Sequence, residues 1–130
     1  CTTHFDHHET DNTIRLQQAN TMINWLNSGQ YYPTVFLGDF NDNRASATLT
    51  SLYKYFFDDP SADNFRPTWS ECRQELKDKI DYILFDRQSH WTIEQFLHGL
   101  NMNKLIPSIE FTMLADHVPL FAKVLLTVTI

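Results

Sequence analysis

Hydrophobic residues near the start of the chain follow strand spacing first and helix spacing afterwards. The segment "CTTHF" is typical of the end of a β-strand, and the polar loop "DHHETDN" follows it. The next apolar residues lie three or four positions apart, namely Leu16, Ala19, Ile23 and Leu26. This spacing predicts a helix from about Thr13 to Ser28, with Asp11 or Asn12 as its N-terminal cap and Gly29 as its terminator.

Two segments in the middle of the chain continue the alternation of strand and helix. The apolar run from Val35 to Leu37 in "TVFLGDFND" ends at a glycine and polar residues, which predicts a buried strand that leads into a functional loop. The segment "SATLTSLYKYF" predicts a second helix. One side of that helix would carry Leu49, Leu52, Tyr53 and Phe56.

The C-terminal part of the chain is rich in strand patterns. "KIDYILF" predicts a strand in which Ile80, Tyr82 and Leu84 alternate with Asp81, Ile83 and Phe85. "WTIEQFLH" and "SIEFTML" are further strand candidates, and "GLNMNKLIP" between them is typical of a loop. The final segment "FAKVLLTVTI" has one wholly apolar face, formed by Ala122, Val124, Leu126, Val128 and Ile130. We expect another surface to cover that face.

The length of the chain allows one domain or part of one. It has 130 residues and a mass of 15.3 kDa, with no internal repeat and no linker that would divide it. No apolar run approaches the roughly 20 residues of a membrane helix. The chain begins without a methionine and inside a strand-like pattern, so we expect residues 1–130 to belong to a longer polypeptide.

Composition narrows the classes of partner and of metal site. Ten basic residues against 16 acidic ones give a formal charge of -6, which argues against a broad electrostatic grip on nucleic acid by this chain. A small phosphorylated substrate held through a cation remains compatible with that charge. Cys1 and Cys72 lack the spacing of a structural zinc site, and we interpret both as free thiols.

Polar clusters follow the predicted strands, where layered α/β scaffolds commonly carry functional sites. The residues are His4 and Asp6, Asp39 and Asn41, Asp81, and Asp116 and His117. Each cluster has a simpler structural explanation. Asp39 and Asn41 could form an Asx turn, and Asp116 with His117 a polar turn. Asp81 shares a strand face with apolar residues, so it requires either a histidine or cation partner or exposure at a strand edge.

The order of four motifs points to a family. "THFDH", "GDFN", "IDYI" and "DH-x-P" resemble, in this order, the C-terminal half of the endonuclease/exonuclease/phosphatase superfamily, the deoxyribonuclease I-like phosphoesterases. "RLQQA" in the first helix and "RPTW" before the "IDYI" strand are also similar to members of this family. The resemblance covers essentially the whole chain.

The resemblance implies a role for each matching residue. Asp39 would orient and deprotonate the attacking water, and Asn41 would position that water or the phosphate. Asp116 would be a metal ligand, with Asp39 as a second one. His117 would bind a phosphoryl oxygen and would be oriented by Asp81.

The first motif adds a phosphate contact and a loop residue. The resemblance implies that His4 contacts the phosphate, while Asp6 fixes the loop. Oxygen ligands favour Mg²⁺ or Mn²⁺ over zinc. His7 and His8 invite a zinc interpretation, but the family pattern uses only the first of the three histidines, so we expect both in a solvated loop.

The resemblance also implies a fold of which this chain would be one half. Family members are four-layer α/β/β/α sandwiches, so residues 1–130 would be an α+β half with one mostly antiparallel, mixed sheet and two helices on its outer face. The N-terminal half supplies an asparagine and the principal metal-binding glutamate, and neither has a counterpart here; Glu9 is not assigned as a substitute. Another chain or copy would cover the inner face of the sheet.

The leading functional hypothesis is a metal-dependent phosphoesterase that is weakly active or inactive as this chain alone. A phosphorylated small molecule, sugar or lipid is favoured over nucleic acid as substrate. A nuclease that acts on phosphodiesters is the enzymatic alternative. The alternative from another class is a non-catalytic structural or assembly subunit that retains this fold.

Overall fold

The computed structural model of the chain describes residues 1–8, 12–29, 32–70, 76–99 and 116–127. Two helices and six strands are formed by these residues, together with a short 3-10 helix. In chain order they are β1 (Thr2–His4), α1 (Asn12–Asn27), β2 (Val35–Asp39), α2 (Ala47–Leu52), β3 (Phe56–Phe57), the 3-10 helix (Ala62–Phe65), β4 (Asp81–Asp86), β5 (His90–His98) and β6 (Leu120–Thr127).

The strands form a four-stranded mixed sheet and a two-stranded antiparallel sheet. The larger sheet has the order β1-β2-β4-β3, with β1 parallel to β2 and the other pairs antiparallel. β5 pairs with β6. This mixture of helices and sheets confirms the α+β class and is consistent with one half of a sandwich.

Gly38 allows β1 and β2 to approach each other closely. Its φ angle is 143°, and a Cβ atom built at this position would lie 2.0 Å from the carbonyl oxygen of Thr3. Only glycine combines this backbone conformation with the absence of a side chain. The close pairing places the end of β1 beside the end of β2.

The hydrophobic core lies between the larger sheet and the two helices. Inward-facing residues of the strands meet α1 and α2 in one buried cluster, which includes Ala19, Ile23, Phe36, Leu49, Leu52, Tyr82 and Leu84. Aromatic rings pack edge to face within it, with centroids 5.1 Å apart for Phe36 and Phe40. Both helices therefore cover the same face of the sheet, as expected for a layered fold.

The boundaries of the elements agree with the hydrophobic spacing except in the second helix. α1 lies within one residue of its predicted bounds, while Asp11, one of its two predicted caps, lies outside the described residues. The second helix ends at Leu52, although the pattern predicts that it includes Phe56. Phe56 instead pairs with Asp86 at the end of β4. Pairing with β4 buries the Phe56 ring and adds hydrogen bonds between the strands. This stabilises Phe56 more than continuing a short helix whose threonine and tyrosine residues have low helix propensity.

The opposite face of the larger sheet is only partly covered by the described residues. Leu37 and Ile83 are register partners that alternate with the core residues of their strands, and Leu37 is 38% exposed. On β6, Ala122 and Val124 are half-buried, and Leu126 is 37% exposed. Apolar side chains therefore remain accessible on the larger sheet, at Leu37, and on the two-stranded sheet, at Leu126.

Several predictions concern residues outside the described part of the chain. They are the strand "SIEFTML", the loop "GLNMNKLIP" beyond Gly99, the cap Asp11, Glu9, the thiol of Cys72, and Val128 and Ile130 at the end of the last strand. Cys1 is a free, exposed thiol. No helix among the described residues is long and apolar enough to cross a membrane.

Candidate active site

Three of the predicted site residues lie in a row across neighbouring strands. In the register of the larger sheet, His4 of β1 pairs with Asp39 of β2, and Asp39 pairs with Asp81 of β4. The parallel pairing of β1 with β2 and the antiparallel pairing of β2 with β4 bring these positions to one end of the sheet. Residues that are far apart in the sequence thus become lateral neighbours.

His117 joins this row through a hydrogen bond to Asp81. Its Nδ1 atom lies 2.9 Å from Oδ2 of Asp81, and a carboxylate can only accept, so Nδ1 carries the proton. Burial disfavours protonation of the ring, but the hydrogen bond to Asp81 and the neighbouring carboxylates outweigh it and raise the pKa of His117. Of the partners considered for Asp81 from the sequence, the structure therefore shows a histidine.

The carboxylate of Asp39 lies between two imidazole rings. Its Oδ2 atom is 3.7 Å from Nε2 of His4 and 3.8 Å from Nε2 of His117. Both separations exceed a hydrogen bond, so the contacts are electrostatic. Burial raises the pKa of Asp39 against the lowering effect of the hydrogen bond from the Asn41 amide.

Asn41 connects the loop after β2 to the end of β1. Its backbone N–H donates to Oδ1 of Asp39 at 2.7 Å, which is the Asx turn considered from the sequence. Its side-chain Nδ2 donates to the carbonyl of Phe5 at 2.9 Å, and its φ angle is 48°. Asparagine tolerates this left-handed conformation better than most residues. The turn and the site geometry are thus the same structure.

The remaining predicted residues lie around this group. Asp116 is exposed, and its carbonyl accepts a hydrogen bond of 2.9 Å from the Ser70 amide. Asp6 accepts a hydrogen bond of 2.8 Å from Nδ1 of His8, which lowers the pKa of Asp6. His7 and His8 are exposed, as expected for residues of a solvated loop.

Two buried charged residues in the wall of the site were not predicted. Nε of Arg15 lies 3.4 Å from Oδ2 of Asp42, and both side chains are almost fully buried. The guanidinium of Arg15 also donates to the carbonyls of Asp6 and His8 at 3.3 and 3.0 Å. Arg15 is four positions before Ala19 on the buried side of α1, and that spacing was the available signal.

These side chains surround one cleft of about 620 Å³. Its lining residues are His4, His7, Asn12, Arg15, Asp39, Asn41, Asp42, Asn43, Trp69, Asp78, Ile80, Asp116 and His117. Asp6 and Asp81 are not among the residues that line this cleft.

Two groups of side chains among the described residues have ligand atoms close enough to share a metal ion. One is Asp39, Asp81 and His117, whose ligand atoms lie within 4.8 Å of one another. The other is Asp6, His7 and His8, where the hydrogen bond to Asp6 already engages Nδ1 of His8. Asp39, Asn41 and Asp116 present oxygen donors in one cleft, which fits the ligand preference of Mg²⁺ or Mn²⁺.

Comparison with known proteins finds similarity at the level of structure. No protein-family model matches the chain, and no curated protein matches it. The fold is similar to that of a functionally unknown conserved protein from Enterococcus faecalis V583, with a TM-score of 0.73 and 25% identity over 97% of this chain. It is also similar to an endonuclease/exonuclease/phosphatase family protein from Bacteroides thetaiotaomicron, with a TM-score of 0.66 and 16% identity over 98% of this chain.

The chain has an endonuclease/exonuclease/phosphatase-like fold. It spans 49% of the length of each of these two structures. Seven of the thirteen residues that line the cleft lie in the four sequence motifs, namely His4, His7, Asp39, Asn41, Ile80, Asp116 and His117. Arg15 and Asp42 are additional members of its wall.

Proposed function

We propose that residues 1–130 form the C-terminal half of an endonuclease/exonuclease/phosphatase-like domain and that this domain hydrolyses phosphate esters with Mg²⁺ or Mn²⁺. The observation that carries the proposal is the convergence of His4, Asp39 and the Asp81–His117 pair at one end of the sheet. The similarity of fold supports it. In-line phosphoryl transfer requires a positioned water, a base and positive charge at the phosphoryl oxygens, and these residue types supply the water-directing and phosphate-binding parts.

Asp39 is proposed as the general base. Burial raises its pKa, which makes this carboxylate a better proton acceptor. The Asn41 amide holds one carboxylate oxygen, and the other faces the cleft between the two histidines. Asn41 is fixed in turn by its bond to the Phe5 carbonyl and would position the water or a phosphoryl oxygen.

His117 and His4 are proposed to bind the phosphoryl group from two sides. Asp81 accepts a hydrogen bond from the Nδ1–H group of His117, so protonation of the other ring nitrogen turns Nε2 into a donor toward the cleft. The raised pKa of His117 increases the protonated fraction near neutral pH. Nε2 of His4 lies at a matching distance on the other side of Asp39.

Asp39 and Asp116 are proposed as metal ligands. The bound cation would neutralise negative charge that develops on the phosphoryl oxygens. Two carboxylates form an incomplete set for a hard cation, which prefers about six oxygen ligands. We therefore propose that the other half of the domain supplies the principal carboxylate and that residues 1–130 alone are weakly active or inactive.

The charge of the cleft favours a small substrate. Four carboxylates line it, from Asp39, Asp42, Asp78 and Asp116, and the whole chain has a formal charge of -6. A long phosphate backbone would be repelled by such a surface. We propose a phosphorylated small molecule, sugar or lipid as substrate.

The uncovered side of the larger sheet is proposed to pack against the missing half or against a second chain. Leu37 is exposed there, and Ile83 is half-buried. The inner faces of two sheets form the core of a sandwich in such folds. The length of the chain, about half that of the two similar structures, supports this proposal.

Metal binding and hydrolysis test the proposed function separately. Mn²⁺ binding to the 130-residue chain should weaken at least about tenfold in Asp39→Asn and Asp116→Asn, because each variant removes a ligand. Glu94→Gln is the matched control, since Glu94 lies on β5 and pairs with Lys123. Equal Mn²⁺ affinity in all variants would contradict the ligand assignment.

Hydrolysis is measured with a sugar phosphate, a lipid phosphate and supercoiled plasmid in Mg²⁺. For the 130-residue chain we expect slow release of phosphate at most. This activity should be lost in His117→Gln and retained in the control His90→Gln, because His90 is exposed at the start of β5. Nicking of plasmid without phosphate release would identify a nuclease. If a chain that includes the complete domain binds Mn²⁺ but hydrolyses none of these esters, the non-catalytic alternative is correct.

A further inference from the structure

Thr68 connects the two segments that carry Asp81 and His117. Its side chain is fully buried, and its Oγ1 accepts hydrogen bonds from the backbone N–H groups of Ile80 at 3.2 Å and Asp81 at 3.1 Å. Its own carbonyl accepts a bond of 2.7 Å from Val118, the residue after His117. One residue therefore holds the backbone on both sides of the Asp81–His117 hydrogen bond.

Neighbouring backbone contacts add to this connection. The N–H of Thr68 donates to the carbonyl of Asp78 at 2.8 Å, and Trp69 forms isolated bridges with both Asp78 and His117. Trp69 and His117 line the cleft, whereas the buried Thr68 lies behind them. Thr68 is thus connected to the site through hydrogen bonds to the backbone and is not among the residues that line the cleft.

Of the groups of Thr68, only the hydroxyl bonds to Ile80 and Asp81 at the start of β4, whereas its N–H bonds to Asp78, three residues before Asp81. Removal of the hydroxyl would leave the bond between the Thr68 carbonyl and Val118 in place while releasing the N–H groups at the start of β4. The Asp81 carboxylate could then move relative to an imidazole that stays fixed. Displacements of about 1 Å suffice to disrupt a catalytic arrangement.

We propose that Thr68 is a positioning residue whose hydroxyl sets the Asp81–His117 hydrogen bond, a role that rests on the proposed phosphate-binding function of His117. The hydrogen bond fixes which nitrogen of the ring carries the proton. A neutral His117 with its proton on Nδ1 presents Nε2 to the cleft, and a free histidine side chain prefers the opposite tautomer. The tautomer of His117 is therefore a direct report on whether Thr68 positions Asp81.

The test compares Thr68→Val with Thr68→Ser by nitrogen NMR of the histidine rings, at a pH where His117 is neutral. The wild-type chain and Thr68→Ser should show the proton on Nδ1. Thr68→Val should shift the tautomer ratio about tenfold or more toward Nε2–H, as expected for loss of a charge-assisted hydrogen bond. Asp81→Asn provides the spectrum of a ring that has lost its carboxylate partner.

Thr48→Val is the matched control. Thr48 is also fully buried, and its Oγ1 has no hydrogen-bond partner among the described residues. The same substitution there should leave the tautomer of His117 unchanged. An Nδ1–H tautomer that persists in folded Thr68→Val, or a shift that also occurs in Thr48→Val, would overturn the proposal.

If Thr68→Val does not fold, the rate of amide hydrogen exchange in the wild-type chain tests the proposal instead. The N–H groups of Ile80 and Asp81 should then exchange as slowly as those inside β4, and rapid exchange of both would refute the proposal. The ring spectrum requires neither metal nor substrate. A positive result, together with no hydrolysis by a chain that includes the complete domain, would reject the proposed function while leaving the positioning role intact. Hydrolysis by that longer chain with an unchanged tautomer in Thr68→Val would reject the positioning role and support the proposed function.

Discussion

The ammonium group of Lys79 is buried near the start of β4, and its removal should stabilise the fold. Its Nζ atom is inaccessible and has no hydrogen-bond partner in the described part of the chain. It lies 4.8 Å from the centroid of the Tyr82 ring. Burial lowers the pKa of Lys79 from 10.5 to about 7, although the charges of Asp81 and Asp58 oppose this change.

The pKa of Lys79 sets both the size and the pH range of the effect. At about 1.4 kcal/mol for each pKa unit, a fall from 10.5 to about 7 corresponds to roughly 5 kcal/mol as an upper bound. Between these two pH values the unfolded chain binds more protons than the folded one, so the free energy of unfolding rises with pH. The cost of Lys79 is complete near and below pH 7 and disappears as the pH approaches 10.5.

Lys79→Met is the informative variant. Methionine is similarly long and unbranched, and its sulfur packs favourably against an aromatic ring such as that of Tyr82. The hydrogen bond from the Tyr82 hydroxyl goes to the backbone carbonyl of residue 79 and is retained. We expect a gain of about 1–4 kcal/mol at neutral pH, less than the upper bound because the cation–π contact and the attraction of the acids are lost.

Urea denaturation of wild type and variant across a pH series measures this gain. The difference between them should be largest near pH 7 and should shrink toward pH 10.5. Lys54→Met is the control, because Lys54 is exposed and its replacement should change stability little at any pH. A destabilised Lys79→Met chain at neutral pH, or a gain independent of pH, would refute the reasoning.

Two further predictions concern the larger sheet. Gly38→Ala should destabilise the chain by about 1–3 kcal/mol or more and weaken the pairing of β1 with β2, because the added Cβ would meet the Thr3 carbonyl at 2.0 Å. Urea denaturation measures this loss of stability. Gly29→Ala is the control, since a Cβ added there meets nothing within 4 Å. The uncovered face should make the isolated 130-residue chain self-associate or bind apolar dyes, and Leu37→Lys should reduce both in sedimentation and fluorescence measurements. A well-dispersed wild-type monomer with little dye binding would contradict the proposed cover.

Local patterns were sufficient to predict most of the secondary structure. The spacing of apolar residues in α1 and the alternation in β4 arise from helix and strand geometry, so the printed sequence shows them directly. The same pattern failed at Phe56, which satisfies a helical spacing but is buried by pairing with β4. That pairing depends on a strand about thirty residues further along the chain, and no local period reports it.

In the candidate site, too, the sequence indicated some features, while others depend on contacts between distant segments. Asp81 on an apolar strand indicated the need for a partner, because a buried carboxylate without one is costly. The family resemblance implied that this partner is His117, and the fold brings the two side chains, 36 positions apart, into hydrogen-bond contact. The buried Arg15–Asp42 pair and the hydroxyl of Thr68 were not predicted, since a charged or hydroxyl residue looks solvated until the opposing segment is in place.

By itself, the sequence determined the order and type of the main elements, the polar residues at the strand ends and the resemblance of their order to a phosphoesterase family. The tertiary structure decided which of these residues meet. The parallel pairing of β1 with β2 and the antiparallel pairing of β2 with β4 put His4, Asp39 and Asp81 side by side. Element formation follows from spacing along the chain, whereas a site depends on contacts between segments that only strand register and burial bring together.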